Sequence, residues 1–210
     1  MDMIDMTTTC ARTADVLVAV TDDQLEGLTP CEKLTLGELV AHAGGLGVAF
    51  AAAARKDLGE LTDPPPGDGG YLLDDDWRAR YPENLAGLAA AWRDAGAWDG
   101  MTRVGGVDLP GEVCGLVGLT EVAIHGWDVA VATGQDYDVD DEVAQAVLAH
   151  MASFAAAGPV EGLFGPAVEI GDGAPPFEQA LALSGRDPRW RSVRRVHGDR
   201  VTQRGGAVRS

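Results

Sequence analysis

The chain has 210 residues, 46% of them hydrophobic, and a formal net charge of −17, which fits one domain with its own core or one domain with an appendage. An acidic body repels nucleic acid and anionic membrane surfaces, so neither is expected as a main partner. The N-terminus lacks the basic residues of a signal peptide, and no apolar run is expected to reach the length needed to span a membrane. The cysteine count is odd, with Cys10, Cys31 and Cys114, and we therefore predict a cytoplasmic location.

Positive charge is concentrated at the C-terminal end, where residues 186–210 carry eight arginines and two aspartates. We divide the chain into a body, 1–187, and a basic tail, 188–210, for which no regular structure is predicted. The tail could contact nucleic acid, but packing on the acidic body or on a second subunit is favoured. The expected assembly is a monomer or a homodimer.

The first two predicted helices cover residues 7–20 and 35–56, where apolar residues recur at helical spacing. One of the threonines at 7–9 is the expected N-cap of the first helix. The second helix has the clearest cap in the chain, because Thr35 followed by Glu38 matches a capping box.

The chain between the second and fourth predicted helices is less regular. Residues 57–70 are rich in proline and glycine and are predicted to form a loop. The third helix lies within 74–95, and Pro82 either kinks it or marks a restart. Residues 98–109 predict a small hairpin or an irregular crossover.

The fourth predicted helix spans 110–134, with a proline at its start and a glycine at its end. The fifth begins at Asp140 or Asp141 and ends near residue 157. A short helical piece is expected at 177–183.

The fourth helix carries the most informative feature, a pair of metal-ligand residue types four positions apart, Glu121 and His125. Side chains at that spacing lie on one helical face and can reach a common point. His42 on the second helix could supply a third ligand, and three protein ligands leave an open position typical of a catalytic metal site. From these residues alone, the alternatives are a solvated Glu121, an ordinary helical His125 and a hydrogen-bonded core histidine at 42.

Three further residues are candidates for a role in the site. Asp128 follows His125 by three positions and is the candidate catalytic residue, orienting an imidazole or a bound substrate. It could equally be a surface acid. Arg78 and Arg80 are candidates for binding an anionic or sugar-bearing cofactor, or else surface arginines of an acidic protein. The cysteines and His150 are expected to be ordinary packing residues.

Three segments resemble a known family. TPCEKLTLGELVAHAGG (29–45) and EVAIHGWDVAVATGQ (121–135) are similar to the two metal-binding motifs of the mycothiol-dependent maleylpyruvate isomerase and DinB-like superfamily. FGPAVEIGDGAPPFEQALALSGRDPRW (164–190) resembles the C-terminal signature of an actinobacterial metal-binding subfamily within that group. The resemblance covers about residues 7–190.

The resemblance implies an all-α, DinB-like four-helix bundle with a short helical or irregular C-terminal segment. It also implies one divalent ion on His42, Glu121 and His125, a donor set that suits zinc, while nickel or iron also fit. The implied function is metal-dependent transfer or isomerisation of a small-molecule substrate with a low-molecular-weight thiol of the mycothiol type. The alternatives are a non-thiol metal-dependent lyase, cyclase or hydrolase of specialised metabolism, and a non-catalytic small-molecule-binding protein.

Overall fold

The computed structural model describes residues 3–65, 67, 69–157, 165–171 and 173–192. Within these ranges the chain is mainly helical, with a single two-stranded antiparallel sheet. The elements, in chain order, are α1 (Thr7–Val18), α2 (Leu36–Arg55), α3 (Trp77–Ala91), α4 (Ala95–Trp98), β1 (Met101–Val104), β2 (Val107–Pro110), α5 (Gly111–Thr133), α6 (Asp141–Ala157) and α7 (Pro176–Leu183).

Four helices, α1, α2, α3 and α5, form a bundle around one apolar core. Both α1 and α2 pack against α3 and against α5, so α2 and α5 are neighbours. The core side chains that are at most 1% exposed include Leu39, Val40, Leu85, Leu88 and Leu119. Because each buried leucine stabilises the fold by about 1.5–3 kcal/mol, this core fixes the relative position of α2 and α5.

The start of α2 is fixed by the predicted capping box. The Thr35 hydroxyl accepts from the Glu38 backbone N–H at 3.3 Å, and the Glu38 carboxylate accepts from the Thr35 N–H at 2.9 Å. The same carboxylate accepts from the Gly70 N–H at 2.8 Å. Glu38 therefore also holds the loop before α3 against the beginning of α2.

The crossing of α2 and α3 depends on Gly44. A Cβ atom at this position would fall against the ring of Tyr81, whereas a Cβ atom at the adjacent Gly45 would meet nothing within 4 Å. Gly44 thus lets the two helices approach closely, and Gly45 has no such packing role.

The C-terminal segment lies on the outside of the bundle. Helix α6 packs on α5, and α7 packs on α6. The Val168 N–H donates to the Ala182 carbonyl at 2.9 Å, and the Arg186 N–H donates to the Leu181 carbonyl at 2.9 Å. These bonds fold the chain on both sides of α7 back onto it and set the position of Arg186.

The predicted all-α, DinB-like fold is confirmed, with each of the main predicted helices present. The hairpin is the correct alternative for 98–109, since β1 and β2 pair from Met101↔Pro110 to Val104↔Val107. Helix α3 continues through Pro82, and α4 was not predicted.

The predicted cap of α1 is wrong. Met6 is the N-cap and makes no side-chain cap hydrogen bond, while the Asp5 carboxylate accepts from the Thr7 N–H at 2.8 Å. A charged acceptor preceding the helix serves its first N–H better than a neutral hydroxyl. The glycine–proline stop after α6 and the part of the basic tail from 193 onward lie outside the described residues.

Helices α2 and α5 are long and apolar enough to cross a membrane by length and composition, so the expectation that no run would reach that length is wrong. Both are mostly buried within the bundle, over 61% and 78% of their apolar windows. A buried core helix can be equally long and apolar, and burial in the bundle accounts for the apolar character of α2 and α5.

Candidate metal centre

Neighbouring helices α2 and α5 bring the three predicted donors together. His42 lies in the middle of α2, and Glu121 and His125 lie one turn apart on α5. The Nε2 atom of His125 is 3.2 Å from Oε2 of Glu121, and Nε2 of His42 is 3.5 Å from the same oxygen. All three donor atoms lie within 4.8 Å of one another.

These separations suit a small divalent ion. At metal–ligand distances of about 2.0–2.2 Å, neighbouring ligands of a tetrahedral ion are about 3.3–3.6 Å apart. Both distances to the Glu121 oxygen, 3.2 Å and 3.5 Å, fall near that range. The residues present therefore fit a two-histidine, one-carboxylate site with a position left for another ligand.

The donor set is only partly covered. The side chain of His125 is 9% exposed, whereas those of His42 and Glu121 are 16% and 20% exposed. The His42 ring packs edge-on to His125, with centroids 5.0 Å apart, and against the Tyr71 ring at 4.8 Å. Solvent access is therefore greatest on the His42 and Glu121 side.

Glu121 and His125 form a strongly coupled pair. Burial raises the pKa of Glu121, but hydrogen bonds from His125 and His42 outweigh burial and hold it well below its usual range. Burial lowers the pKa of His125, but hydrogen bonds to Asp128 and Glu121 raise it to about 9. In the metal-free protein at neutral pH, His125 is therefore protonated. Its positive charge then lies next to the position that a bound cation would take.

Asp128 is fully buried behind His125. Its Oδ2 atom lies 3.0 Å from Nδ1 of His125, the ring nitrogen that faces away from Glu121. Burial raises the pKa of Asp128, but the Arg186 charge and the His125 hydrogen bond lower it below its usual range. An ionised Asp128 accepts the Nδ1 proton, which leaves the Nε2 lone pair of a neutral His125 directed at the donor set.

Arg186 supplies the charge that compensates Asp128. Its Nη2 and Nε atoms lie 3.1 Å and 3.4 Å from the two carboxylate oxygens, and Nη1 donates to the Ser184 carbonyl at 3.0 Å. Arg186 is only 8% exposed. A buried carboxylate is costly without such a partner.

Cys31 also reaches the site. Its sulfur, a ligand atom of His125 and one of Asp128 lie within 4.8 Å of one another. Cys31 is half-buried, and burial raises the pKa of its thiol, which is therefore neutral at physiological pH. Cys10 and Cys114 are fully buried, and burial raises the pKa of each thiol to about 12, as expected of core cysteines.

Arg78 and Arg80, near the start of α3, already donate to acceptors within the protein. Arg78 donates to the Val20 carbonyl at 2.9 Å and to Asp22 at 2.6 Å. Arg80 donates to Asp74 at 3.0 Å. Their predicted contact with a thiol cofactor would require these exposed ion pairs to open, and it stays a prediction.

Comparison with known protein families identifies the family of this chain. A family model described as mycothiol maleylpyruvate isomerase N-terminal domain matches residues 6–130, which include His42, Glu121, His125 and Asp128. The chain belongs to this family. The match to the family model ends within α5, so Arg186 lies outside the matched range.

Two relatives from Mycobacterium tuberculosis have the same extent of similarity. An uncharacterized protein of strain H37Rv is 33% identical over 187 residues, covering 84% of this chain and 92% of the relative. An uncharacterized protein of strain CDC 1551 matches with the same identity and coverage. No solved structure matches the chain.

Sequence reasoning missed two neighbours of the donor set, Arg186 and Cys31. Both lie in the segments on which the family resemblance rests, SGRDPRW and TPC. A further signal was available for Arg186, because an aspartate on an apolar helix requires a buried counter-charge. The position of Cys31 next to Asp128 depends on the loop before α2 and has no local signal.

Proposed function

We propose that the protein is a divalent-metal-dependent enzyme that uses a low-molecular-weight thiol of the mycothiol type to transfer or isomerise a small-molecule substrate. The observation that carries the proposal is the convergence of His42, Glu121 and His125 on one point, with donor atoms within 4.8 Å of one another. Membership of the mycothiol maleylpyruvate isomerase N-terminal domain family supports the thiol and the reaction class.

The donor set supports a resident metal with catalytic chemistry. Two imidazoles and a carboxylate suit zinc best, and nickel or iron are the alternatives. A divalent ion held here would lower the pKa of a bound thiol or water, so that the nucleophile forms near neutral pH. The partial exposure of His42 and Glu121 supports an approach for that nucleophile from solvent.

The protein's own residues have distinct roles in this proposal. Glu121 supplies the anionic donor and lies between the two imidazoles. Asp128 orients His125 through Nδ1, and we assign it no direct contact with the ion. Pre-organised donors of this kind cost little rearrangement when the ligand binds.

We propose that the protein acts in the cytoplasm. Free cysteines at 10, 31 and 114 support a reducing cytoplasm. We expect a monomer or homodimer acting on a small molecule, with Arg78 and Arg80 as the candidates for contacting the thiol cofactor.

The test uses cobalt-substituted protein with Cys31 changed to serine, so that no thiol of the protein near the site can contribute. Addition of mycothiol should produce a sulfur-to-cobalt absorption band, which methionine at the same concentration should not produce. An unchanged spectrum with mycothiol and with other physiological thiols would contradict the thiol reaction. It would leave the non-thiol enzyme or the binding protein as the function.

A further inference from the structure

The structure contains two overlapping sets of donors that share one imidazole. The first consists of His42, Glu121 and His125, and the second consists of Cys31, His125 and Asp128. In each set the donor atoms lie within 4.8 Å of one another. Geometry alone therefore does not decide which set receives a cation.

The two sets use opposite sides of the His125 ring. Nε2 faces Glu121 at 3.2 Å, and Nδ1 faces Asp128 at 3.0 Å. A neutral imidazole has one unprotonated nitrogen, so it can serve one ion at a time. Occupation of one set excludes the other, unless the ring loses a second proton.

Arg186 distinguishes the two sets. It contacts both oxygens of Asp128, at 3.1 Å and 3.4 Å, and it is nearly buried. A cation on the second set would have to displace a buried ion pair and lie beside a guanidinium, which is strongly unfavourable at low dielectric.

We propose that Arg186 selects the metal site, keeping a divalent cation on His42, Glu121 and His125 and excluding it from Cys31, His125 and Asp128. Arg186 is a positioning residue in this role, because it acts through Asp128. By occupying both carboxylate oxygens, it holds Asp128 as a hydrogen-bond acceptor for Nδ1 and fixes the tautomer that presents Nε2 to the first set.

The role belongs to the segment after α7, which the family match does not reach. The Arg186 N–H is bonded to the Leu181 carbonyl, and the guanidinium is bonded to the Ser184 carbonyl at 3.0 Å. Docking of α7 on α6 thus places a positive charge behind the second donor set. The inference rests on the proposed metal centre.

The experiment loads the full chain with Co²⁺ alone and records the electronic spectrum and the cobalt content. Wild-type protein should bind about one ion per chain without a thiolate-to-cobalt charge-transfer band. Arg186→Met should gain that band, and the double variant Arg186→Met/Cys31→Ser should lose it again. In Arg186→Met the affinity ratio of thiophilic Cd²⁺ to Zn²⁺ should rise about tenfold, the scale of changes around metal ligands.

Two controls separate selection from a general structural effect. Arg186→Lys keeps the charge and should show no band, whereas Arg186→Gln keeps polar contact without charge and should show one. Arg186→Gln also carries the test if Arg186→Met does not fold. Cys31→Ser alone should leave the cobalt content and the spectrum of the wild type unchanged.

Results that would contradict the selection by Arg186 differ from the result that would contradict the metal centre. A band in the wild type that Cys31→Ser removes, or wild-type spectra in both neutral Arg186 variants at full loading, would overturn the selection by Arg186 while leaving the metal centre in place. Failure of the wild-type chain to bind cobalt would overturn the metal centre itself, and the inference with it.

Discussion

Arg186 donates to Asp128 in a buried ion pair, with Nη2 3.1 Å from Oδ2. The same carboxylate oxygen lies 3.0 Å from Nδ1 of His125. One aspartate thus joins the C-terminal segment to the helix that carries two of the three candidate ligands. The environment of the donor set therefore depends on how the C-terminal segment packs against the bundle.

Removal of one imidazole should empty the site. His125→Ala leaves two donors, so most of the bound divalent metal should be lost from the purified protein. The matched control is His150→Gln, a change at another buried histidine, which packs against Phe154 with ring centroids 4.9 Å apart. Elemental analysis measures both variants, and full metal content in His125→Ala would show that the assignment is wrong.

Asp128→Asn should weaken the site without abolishing it. The neutral amide no longer enforces a proton on Nδ1, and changes at partners of a ligating histidine cost roughly 10–100-fold in metal affinity. Competition titration with a chelator measures the affinity. Wild-type affinity, or complete loss of binding in a folded variant, would contradict an orienting role.

Metal affinity should increase with pH. In the metal-free protein the pKa of His125 is about 9, so below that pH a cation must displace a proton. The apparent affinity for Zn²⁺ should rise by up to about tenfold per pH unit between pH 7 and 9 and level off above it. Proton release upon zinc addition at pH 7, measured in weak buffer, should be about one per chain. A pH-independent affinity in this range would refute the prediction.

The stability of the metal-free protein should change in the opposite direction. The pKa of His125 is raised from 6.5 to about 9. The protonated imidazole therefore contributes its full stabilisation of the fold below pH 6.5, and this stabilisation is lost as the pH rises through 9. The free energy of unfolding should fall by up to about 3 kcal/mol over this interval. Denaturant unfolding measures the fall, and His125→Gln should flatten it. An equal fall in that variant would assign the effect to another group.

Adjacent glycines on α2 provide a matched pair for the fold. Gly44→Ala would push a methyl group into the Tyr81 ring and should destabilise the protein by about 1–3 kcal/mol. Gly45→Ala meets nothing within 4 Å and should be neutral or stabilise it by up to about 1 kcal/mol. Thermal unfolding compares the two, and equal effects would contradict the close crossing of α2 and α3.

Several features of the fold were predictable because their causes are local. The capping box of Thr35 and Glu38 needs residues three positions apart, and the ends of α5 follow from a proline and from a glycine with φ of +74°. The N-cap of α1 was not predictable in the same way, because Asp5 and the threonines at 7–9 all offer a side-chain oxygen near the first turn, and the Thr7 N–H bonds to Asp5.

The sequence by itself determined that Glu121 and His125 lie on one face of a helix, since a 3.6-residue period fixes that relationship within α5. Only the tertiary structure decided which groups surround them. The packing of α2 against α5 brings His42 to 3.5 Å from Glu121, and the docking of α7 on α6 brings Arg186 to Asp128 across 58 positions. Such contacts depend on how helices pack over long separations in the chain, and no local pattern encodes the distance between them.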